Sequence, residues 1–306
     1  MYQKIKNFLK NIPVVNNILS FIYKITIYKF TREISLDILA MFPLYKANNG
    51  GKYSIKTDLA INAIREMFPL LNTLGKTFNT KIPEIIKIKD YNQNYQNLEM
   101  LDHFKKVFEK YGSDKTKHEY HYFYSSIFKD TKNVKNIFEI GLGSNDLNIP
   151  SNMGVSGKPG ASLKAFKEIF KNSNIYGADV DKKILFEEDR IKTFYLDQTD
   201  QKTFDNILNL VPKNFDLAID DGLHAPDANI ASLIFFLKII KIGGWAVIED
   251  IGEKSLDVWK VVSYLLPSTY LSQILQTKSG GYLFAVKKLE ATPGIEPGYK
   301  DLQSSA

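Results

Sequence analysis

The sequence predicts an α/β fold in which a mostly parallel β-sheet carries helices on both faces, preceded by a smaller, mostly helical region. From residue 136 onward, short runs rich in β-branched residues alternate with stretches of helical length, as in chains that form parallel sheets. Before residue 100, the apolar residues instead recur at helical spacing. With 306 residues, of which 44% are hydrophobic, the chain is long enough for one full domain and an additional region.

Each element of the sheet region is bounded by glycine, proline or polar residues. The Gly280-Gly281 pair predicts that the last two strands form an antiparallel hairpin. The predicted strands are Asn136–Ile140, Ile175–Asp179, Ile191–Leu196, Phe215–Ile219, Gly244–Ile248, Tyr270–Gln276 and Tyr282–Lys287. The predicted helices are Ala161–Phe170, Lys202–Leu210, Asn229–Ile240 and Leu256–Leu265.

The first hundred residues are predicted to form an auxiliary region. Thr57–Leu74 has helical spacing, with Pro69 marking a break, and the polar, Asn-rich Ile82–Gln96 is interpreted as a linker. After Glu290 the chain holds prolines and glycines and offers no core. The predicted division is a helical region at 1–100, the sheet domain at 101–289 and a disordered tail at 290–306.

The net charge of +6 is concentrated at the start of the chain. Six basic and no acidic residues precede residue 33, so the remainder balances to zero (+6 − 6 = 0), which argues against a nucleic-acid partner. The apolar stretch Val14–Phe30 contains Lys24 and Lys29, which a membrane-spanning helix disfavours. We favour a helix that covers the protein's own core; the alternative is a basic helix in peripheral contact with a membrane through residues 1–32.

The chain has no cysteine, which excludes a disulfide scaffold, a thiol nucleophile and cysteine-based metal sites. This composition fits a reducing cytoplasm. The expected location is therefore cytoplasmic, with the inner membrane surface as an alternative for the basic arm. A homo-oligomer is left open.

The carboxyl ends of the first strands carry residues suited to a nucleotide-like cofactor. The first strand ends in Glu139-Ile-Gly141-Leu-Gly143, where glycines let the backbone approach a ligand, although a plain tight turn would use them equally. The second ends at Asp179, expected to accept the ribose hydroxyls, with Asp181 as the alternative. The predicted cofactor site is completed by Asp197, Gln198 and Asp220.

A dinucleotide enzyme is a poorer interpretation of this turn. The third glycine of G-x-G-x-x-G is missing, because position 146 is Asp146. The long insertion Ser144–Gly160 also separates the turn from its helix in sequence, which is expected to weaken pyrophosphate binding at the helix N-terminus.

Acidic residues follow the fourth and fifth strands. Asp221 comes directly after one, and Glu249-Asp250 ends the other. Adjacent parallel strands bring these side chains to one edge, where carboxylates repel unless a cation neutralises them, and an all-oxygen set suits Mg²⁺, Mn²⁺ or Ca²⁺. Taken singly, each acid could be a helix N-cap, and His224 an ordinary loop histidine. The clustering favours a metal site.

The order Glu-x-Gly-x-Gly, Gly-x-Asp and a third Asp resembles the class I S-adenosylmethionine-dependent methyltransferases. The chain more narrowly resembles the metal-dependent macrolide (mycinamicin-type) sugar O-methyltransferases, over roughly residues 105–287. The shared motifs are Tyr-Gly-Ser-Asp-Lys at Tyr111–Lys115 with His118, Tyr120 and Tyr124 after it, Gly-Ala-Ser-Leu at Gly160–Leu163, Asp-Asp-Gly-x-His at Asp220–His224, and Glu249-Asp250. Ser144-Asn145 replaces a glycine common after the first motif.

The resemblance implies a Rossmann-like, seven-stranded methyltransferase sheet and the cofactor S-adenosylmethionine. It also implies that Asp221, Glu249 and Asp250 bind a divalent cation, Mg²⁺ first among the candidates, with His224 as the base. Tyr111, Asp114, Lys115 and His118 are expected to form a lid over the cofactor or acceptor.

The implied reaction is methylation of a sugar hydroxyl on a surface polysaccharide, a nucleotide sugar or a glycosylated metabolite. Two alternatives remain at this point. One is an enzyme of the same fold acting on a non-sugar acceptor, and the other is a membrane-associated polysaccharide-assembly factor without catalysis.

Overall fold

The computed structural model describes residues 55–77, 82–91, 97–128, 130–149 and 151–290, with side chains from Ile61 onward. The predictions for the basic arm, for Val14–Phe30 and for the tail after Glu290 lie outside these residues. Within the described ranges, no helix is both long enough and apolar enough to cross a bilayer.

The described residues form seven α-helices and nine β-strands. The helices are α1 (Ile55–Thr77), α2 (Leu98–Tyr111), α3 (Tyr120–Ile127), α4 (Ala161–Ile169), α5 (Gln201–Leu208), α6 (Pro226–Ile239) and α7 (Leu256–Leu265). The strands are β1 (Ile85–Lys87), β2 (Asn136–Ile140), β3 (Asn174–Asp179), β4 (Glu187–Glu188), β5 (Ile191–Tyr195), β6 (Phe215–Asp220), β7 (Ile240–Ile251), β8 (Tyr270–Gln276) and β9 (Tyr282–Lys288).

All of these strands join one sheet in the order β1-β8-β9-β7-β6-β2-β3-β5-β4. The central strands β7, β6, β2, β3 and β5 run parallel, while β9 pairs antiparallel with both β7 and β8. The predicted α/β class and the terminal antiparallel hairpin are confirmed. The carboxyl ends of β2 and β6 lie side by side, since Ile140 pairs with Asp220.

Helices cover both faces, and side chains alternate between two cores. On β2, Ile137 contributes to the core beneath α2, α3 and α4, whereas Phe138 contributes to the core beneath α5, α6 and α7. Strands buried on both faces are near-continuously apolar, which is why the central strands could be recognised in the sequence. Aromatic rings fill the first core, with Phe108 and Phe166 joining α2 to α4 edge to face at 5.4 Å.

Two local predictions were wrong, and one edge strand was missed. Ile85–Lys87 lies in the supposed linker but pairs parallel with β8, so the sheet begins before the predicted boundary at residue 100. Glu187–Glu188 adds a short antiparallel edge strand beside β5. Helix α1 continues through Pro69 without a break. A tertiary contact supports α1 beyond the proline, because Tyr264 of α7 donates a hydrogen bond to Asn72 at 2.6 Å.

Candidate active site

A cavity of about 450 Å³ opens at the carboxyl ends of the central strands. This volume is within the range of small-molecule sites, and the location is where ligands bind in open α/β sheets. Its wall combines the glycine turn after β2, the insertion before α4, the segment between α2 and α3, the loop after β6 and the end of β7. Its lining includes Asp114, Lys117, Gly141, Gly143, Met153, Lys158, Ser162, Asp221, His224 and Asp250.

The glycine turn brings two strand ends into contact. Gly141 has a φ of 91°, and a side chain there would collide with the backbone of Asp221 at the end of β6. Gly143 has a φ of 84°, and a side chain there would collide with Met153 of the insertion. Both glycines are therefore favoured by backbone conformation, and Gly141 is also required by the close approach of the Asp221 backbone.

The insertion Ser144–Gly160 does not move α4 away from the glycine turn, contrary to the sequence argument. Its two ends meet, because the Gly160 amide donates to the Leu142 carbonyl at 2.8 Å. Ser162, in the first turn of α4, consequently reaches Glu139 of β2 and donates a hydrogen bond to it. The helix N-terminus thus lies beside the turn and lines the cavity.

The two acids after β3 brace the turn from behind. Asp179 is buried and accepts hydrogen bonds from the Leu142 amide at 2.7 Å and from the Asp181 amide at 2.8 Å. Burial raises the pKa of Asp179 although these amides oppose the shift. Asp181 accepts from Ser144 at 2.6 Å. Neither side chain lines the cavity as it stands, so the assignment of the ribose to Asp179 stays a prediction.

Gln198 and Asp220, two more of the predicted cofactor residues, form a polar clamp. Gln198 donates to both carboxylate oxygens of Asp220, at 2.9 and 3.0 Å, and accepts from the Leu223 amide at 2.8 Å. Asp220 is fully buried, which raises its pKa, and Asn229 of α6 bonds it at 2.9 Å. Asp197 bonds the Thr199 amide at 2.9 Å. This clamp fixes the loop that carries Asp221 and His224.

Three predicted site residues converge at the cavity wall. Asp221, His224 and Asp250 each offer one ligand atom, and these atoms all lie within 4.8 Å of one another. The closest of these pairs that involves the imidazole is His224 Nε2 with Asp250 Oδ2, at 3.7 Å. All three side chains are partly exposed to the cavity.

Two of these three residues also have strained backbone conformations. Of the four described residues other than glycine with positive φ, two are His224 (56°) and Asp250 (53°). Such conformations cost free energy and concentrate at functional sites, where the surrounding structure enforces them. Here the enforcing contacts are the Gln198 clamp for the His224 loop and Tyr120 for Asp250.

Glu249 and Glu139 lie deeper, around the ammonium of Lys115. The Lys115 Nζ atom is 2.6 Å from Glu249 Oε2, 2.9 Å from Glu139 Oε1 and 3.0 Å from Asp221 Oδ2. The other Glu249 oxygen accepts a hydrogen bond from Tyr124. The predicted third metal ligand is thus bonded through both oxygens to protein groups, and its role as a ligand stays a prediction.

The segment between α2 and α3 packs over the acids, where the lid was predicted. Tyr120 donates to Asp250 Oδ1 at 2.6 Å and accepts from the Asp250 amide at 2.9 Å. His118 stacks on Tyr120 and lies 3.9 Å from Asp250 Oδ1. Asp114 lines the cavity. Tyr111 points elsewhere, donating to Glu168 of α4 at 2.8 Å.

The electrostatics of the cluster follow from burial and proximity. Burial alone would lower the pKa of Lys115, but the carboxylates of Asp221, Glu139 and Glu249 raise it well above its usual value, so the ammonium stays charged. Burial raises the pKa of Glu249 well above its usual range. Burial also acts to raise the pKa of Asp250, yet His224 and Tyr120 hold it below its usual value.

The residues present fit a divalent cation. Among the described residues, Lys115 is the one lysine against the acidic groups of Glu139, Asp221 and Glu249, and Asp250 lies beside them, so acidic groups outnumber the ammonium. The carboxylates of Asp221 and Asp250 face the cavity and are suitable ligands for Mg²⁺ or Mn²⁺, which prefer oxygen, and the imidazole of His224 lies beside them.

Sequence reasoning missed several contributors to the site. Ser162 was visible only as part of a motif, and Asn229 carried no signal at all. Lys115 was predicted as a lid residue, whereas it is buried among the acids. A lysine within a motif of otherwise polar residues gives no sign of its burial.

No protein-family model matches the chain. The mycinamicin VI 2''-O-methyltransferase of Micromonospora griseorubida is 33% identical over 128 residues, which is 42% of this chain and 30% of that protein. The 8-demethyl-8-alpha-L-rhamnosyl tetracenomycin-C 2'-O-methyltransferase of Streptomyces olivaceus is 27% identical over 144 residues, which is 46% of this chain and 36% of that protein. The matched stretches therefore span about a third of these relatives.

Among solved structures, the MycE methyltransferase of the mycinamycin biosynthetic pathway, in complex with Mg, SAH and mycinamycin VI, aligns with a TM-score of 0.50 at 23% identity. The alignment covers 64% of this chain and 56% of that one. At this identity the likeness establishes the fold. The chain therefore has the class I S-adenosylmethionine-dependent methyltransferase fold and is similar, over the matched residues, to macrolide-type sugar O-methyltransferases.

Proposed function

We propose that this protein is an S-adenosylmethionine-dependent O-methyltransferase that methylates a sugar hydroxyl with the help of a divalent cation. One observation carries the proposal: Asp221, His224 and Asp250 converge in a cavity that also contains the glycine turn of a methyltransferase fold. The donor and acceptor halves of the reaction would thus share one space.

The donor half is assigned to the glycine turn and the residues that brace it. Gly141 and Gly143 leave the backbone open to a ligand, and S-adenosylmethionine supplies the methyl group when bound. Asp179, Asp197, Gln198 and Asp220 are proposed to shape this half, with Asp179 or Asp181 accepting the ribose hydroxyls. The absence of a phosphate in this cofactor suits a turn that lacks the third glycine.

The acceptor half is assigned to the acid cluster. Asp221 and Asp250 would hold a divalent cation, with Glu249 or His224 completing the set, and the cation would supply the positive charge that makes an acceptor hydroxyl easier to deprotonate. With Glu249 as the third ligand, His224 would take the hydroxyl proton, and S-adenosylmethionine would supply the methyl group and leave as the neutral thioether. Asp250, 3.7 Å from His224 Nε2, stabilises the imidazolium that results.

The proposed acceptor is a sugar with two neighbouring hydroxyls, which chelate a cation better than one. The matched relatives are named for 2''-O- and 2'-O-methylation, which supports this class. Surface polysaccharides, nucleotide sugars and glycosylated metabolites are the candidate carriers. A cytoplasmic location, a role in polysaccharide biosynthesis, membrane contact through residues 1–32 and a homo-oligomer are further parts of the proposal.

A transfer assay tests the function directly. The full chain is incubated with methyl-labelled S-adenosylmethionine and a panel of nucleotide sugars, glycans and phenolic acceptors, with Mg²⁺ or with a chelator. We expect label in a sugar product that disappears with chelator and returns with Mg²⁺. Label only in a phenol or amine would establish a non-sugar acceptor.

The non-catalytic alternative makes a different prediction. Deleting residues 1–32 from an assembly factor would abolish its cellular effect while no methyl transfer occurs with either protein. For the proposed enzyme, the same deletion leaves transfer to a soluble sugar intact. Fractionation of cells that express both versions tests the membrane contact separately.

A further inference from the structure

The buried lysine in the acid cluster takes no part in the proposed proton or methyl transfer. Lys115 is 1% exposed, and its ammonium touches carboxylates from three strands: Glu139 of β2, Asp221 after β6 and Glu249 of β7. Glu139 lies on the side of the glycine turn, whereas Asp221 also faces the cavity. The ammonium is therefore the point at which the donor and acceptor halves of the site meet.

The chain fixes Lys115 firmly in this position. Gly112, with a φ of 76°, ends α2, and the Ser113 side chain bonds the Lys115 amide to start a single 3₁₀ turn over Asp114–Thr116. Helix α3 then covers the turn with Tyr124, whose hydroxyl donates to the same Glu249. These contacts fix the position of the Lys115 side chain, unlike that of a surface lysine paired with an acid.

The neighbouring lysine provides a contrast. Lys117 is exposed, lines the cavity and forms no ion pair with any residue in the described ranges. Two imidazoles also approach the cluster: His224 and His118 lie 3.7 and 3.9 Å from Asp250, and the His224 ligand atom lies within 4.8 Å of that of Asp221. Lys115 is thus the lysine or arginine that the structure places against Glu139, Asp221 and Glu249.

Carboxylates gathered around one ammonium would repel one another strongly if no cation lay between them. A divalent ion supplies the compensating positive charge only while it is bound. The protein needs the acids to stay together in order to receive the ion, and an ammonium covalently attached to the chain is always present.

We propose that Lys115 is a built-in counter-ion that keeps the acid cluster assembled before metal binds and moderates the affinity of the metal site. Lys115 is a positioning residue in this role, since it acts through Asp221 and Glu249. The inference rests on the proposed function, because it concerns the same metal site. It predicts that removing the ammonium makes folding depend on metal and makes metal binding tighter, whereas simple structural damage would make it weaker.

The test compares the parent protein with Lys115→Met, using Lys117→Met as the matched control two residues away. Thermal unfolding is measured with chelator and with saturating Mn²⁺. In chelator, the melting temperature of Lys115→Met should fall by about 10 °C below that of the parent. Saturating Mn²⁺ should restore most of that loss, while the parent and Lys117→Met gain only the smaller rise that binding itself produces.

Calorimetric titration with Mn²⁺ gives the second readout. Lys115→Met should bind the ion about tenfold more tightly than the parent, because one repelling positive charge is gone. Equal loss of stability with and without Mn²⁺, or unchanged or weaker Mn²⁺ binding, would overturn the inference. A parent protein that binds no Mn²⁺ would instead refute the metal site in the proposed function.

A second variant covers the case in which Lys115→Met does not fold. The double variant Lys115→Met/Glu249→Gln removes one positive and one negative charge together. If the ammonium acts through its charge, this variant should recover most of the lost melting temperature in chelator. Absence of recovery would show that the lysine fills space only, and the inference would fail.

Discussion

His224, in the loop after β6, and Asp250, near the end of β7, both hold left-handed backbone conformations, and their side chains lie 3.7 Å apart. This geometry leaves two roles for His224, a proton acceptor or a metal ligand. We expect His224→Ala to lower turnover by about 10²–10⁴, the usual contribution of a general base, with Mn²⁺ and cofactor affinities unchanged. Single-turnover kinetics and calorimetry separate the roles, since joint loss of Mn²⁺ affinity would identify a ligand. His103→Ala, at an exposed histidine of α2 outside the cavity, is the control and should turn over as the parent does.

Asp250 depends on Tyr120 for its orientation, because the tyrosine hydroxyl bonds both its carboxylate and its amide. Tyr120→Phe keeps the ring that stacks on His118 and removes both bonds. We expect Mn²⁺ affinity to fall about tenfold, as the loss of hydrogen bonds to a charged group implies. Tyr122→Phe on the same helix should bind Mn²⁺ as the parent does. Equal affinities in all three proteins would mean that the strained backbone alone orients Asp250.

At this scale, the sequence predicted which residues would converge but not how they divide their contacts. Asp221, His224 and Asp250 followed from strand-end positions, because parallel strands present those ends at one edge. The pairing of Lys115 with Glu249, 134 positions apart, depends on how α3 packs over the sheet. Nothing local in either residue encodes that packing.

Among the elements, the insertion Ser144–Gly160 determines the shape of the cavity. Asn145 holds it closed by donating to the carbonyls of Gly154 and Gly157 at 2.6 and 3.0 Å. We expect Asn145→Ala to weaken cofactor binding about tenfold through the lost hydrogen bonds, without loss of fold. Asn148→Ala, whose bonds are exposed and confined to Asp146, should bind cofactor normally. Titration with S-adenosylhomocysteine makes the comparison, and equal affinities would show that the insertion closes without Asn145.

The elements themselves were predictable where burial is two-sided. Strands such as Phe215–Asp220 are buried along their whole length, so their apolar runs stand out. The edge strands β1 and β4 have three and two residues, too few to show any period. Strand β7 begins at Ile240 rather than at the predicted Gly244, because it follows α6 directly. The pair Gly243-Gly244 lies within the strand and does not form a loop before it.

At the scale of the whole molecule, buried ionisable groups make folding depend on pH in opposite directions. Burial raises the pKa of carboxyl groups such as Asp179 and Glu139 above their unfolded values. These groups bind protons more readily in the folded state, so they add stability as the pH falls. His121 of α3 acts in the other direction, since burial lowers its pKa from 6.5 to about 4.

Between pH 6.5 and about 4, His121 therefore binds a proton in the unfolded chain but not in the folded one. Its contribution to the free energy of unfolding is complete above pH 6.5 and is lost progressively as the pH falls to about 4. We expect His121→Gln to lower the slope of the free energy of unfolding against pH in this window by up to the equivalent of about one proton relative to the parent. His103→Gln, an exposed site on α2, should leave the slope unchanged. Because the buried carboxyls are common to all three proteins, their opposing contribution cancels in the comparison, and identical slopes would mean that His121 is protonated equally in both states.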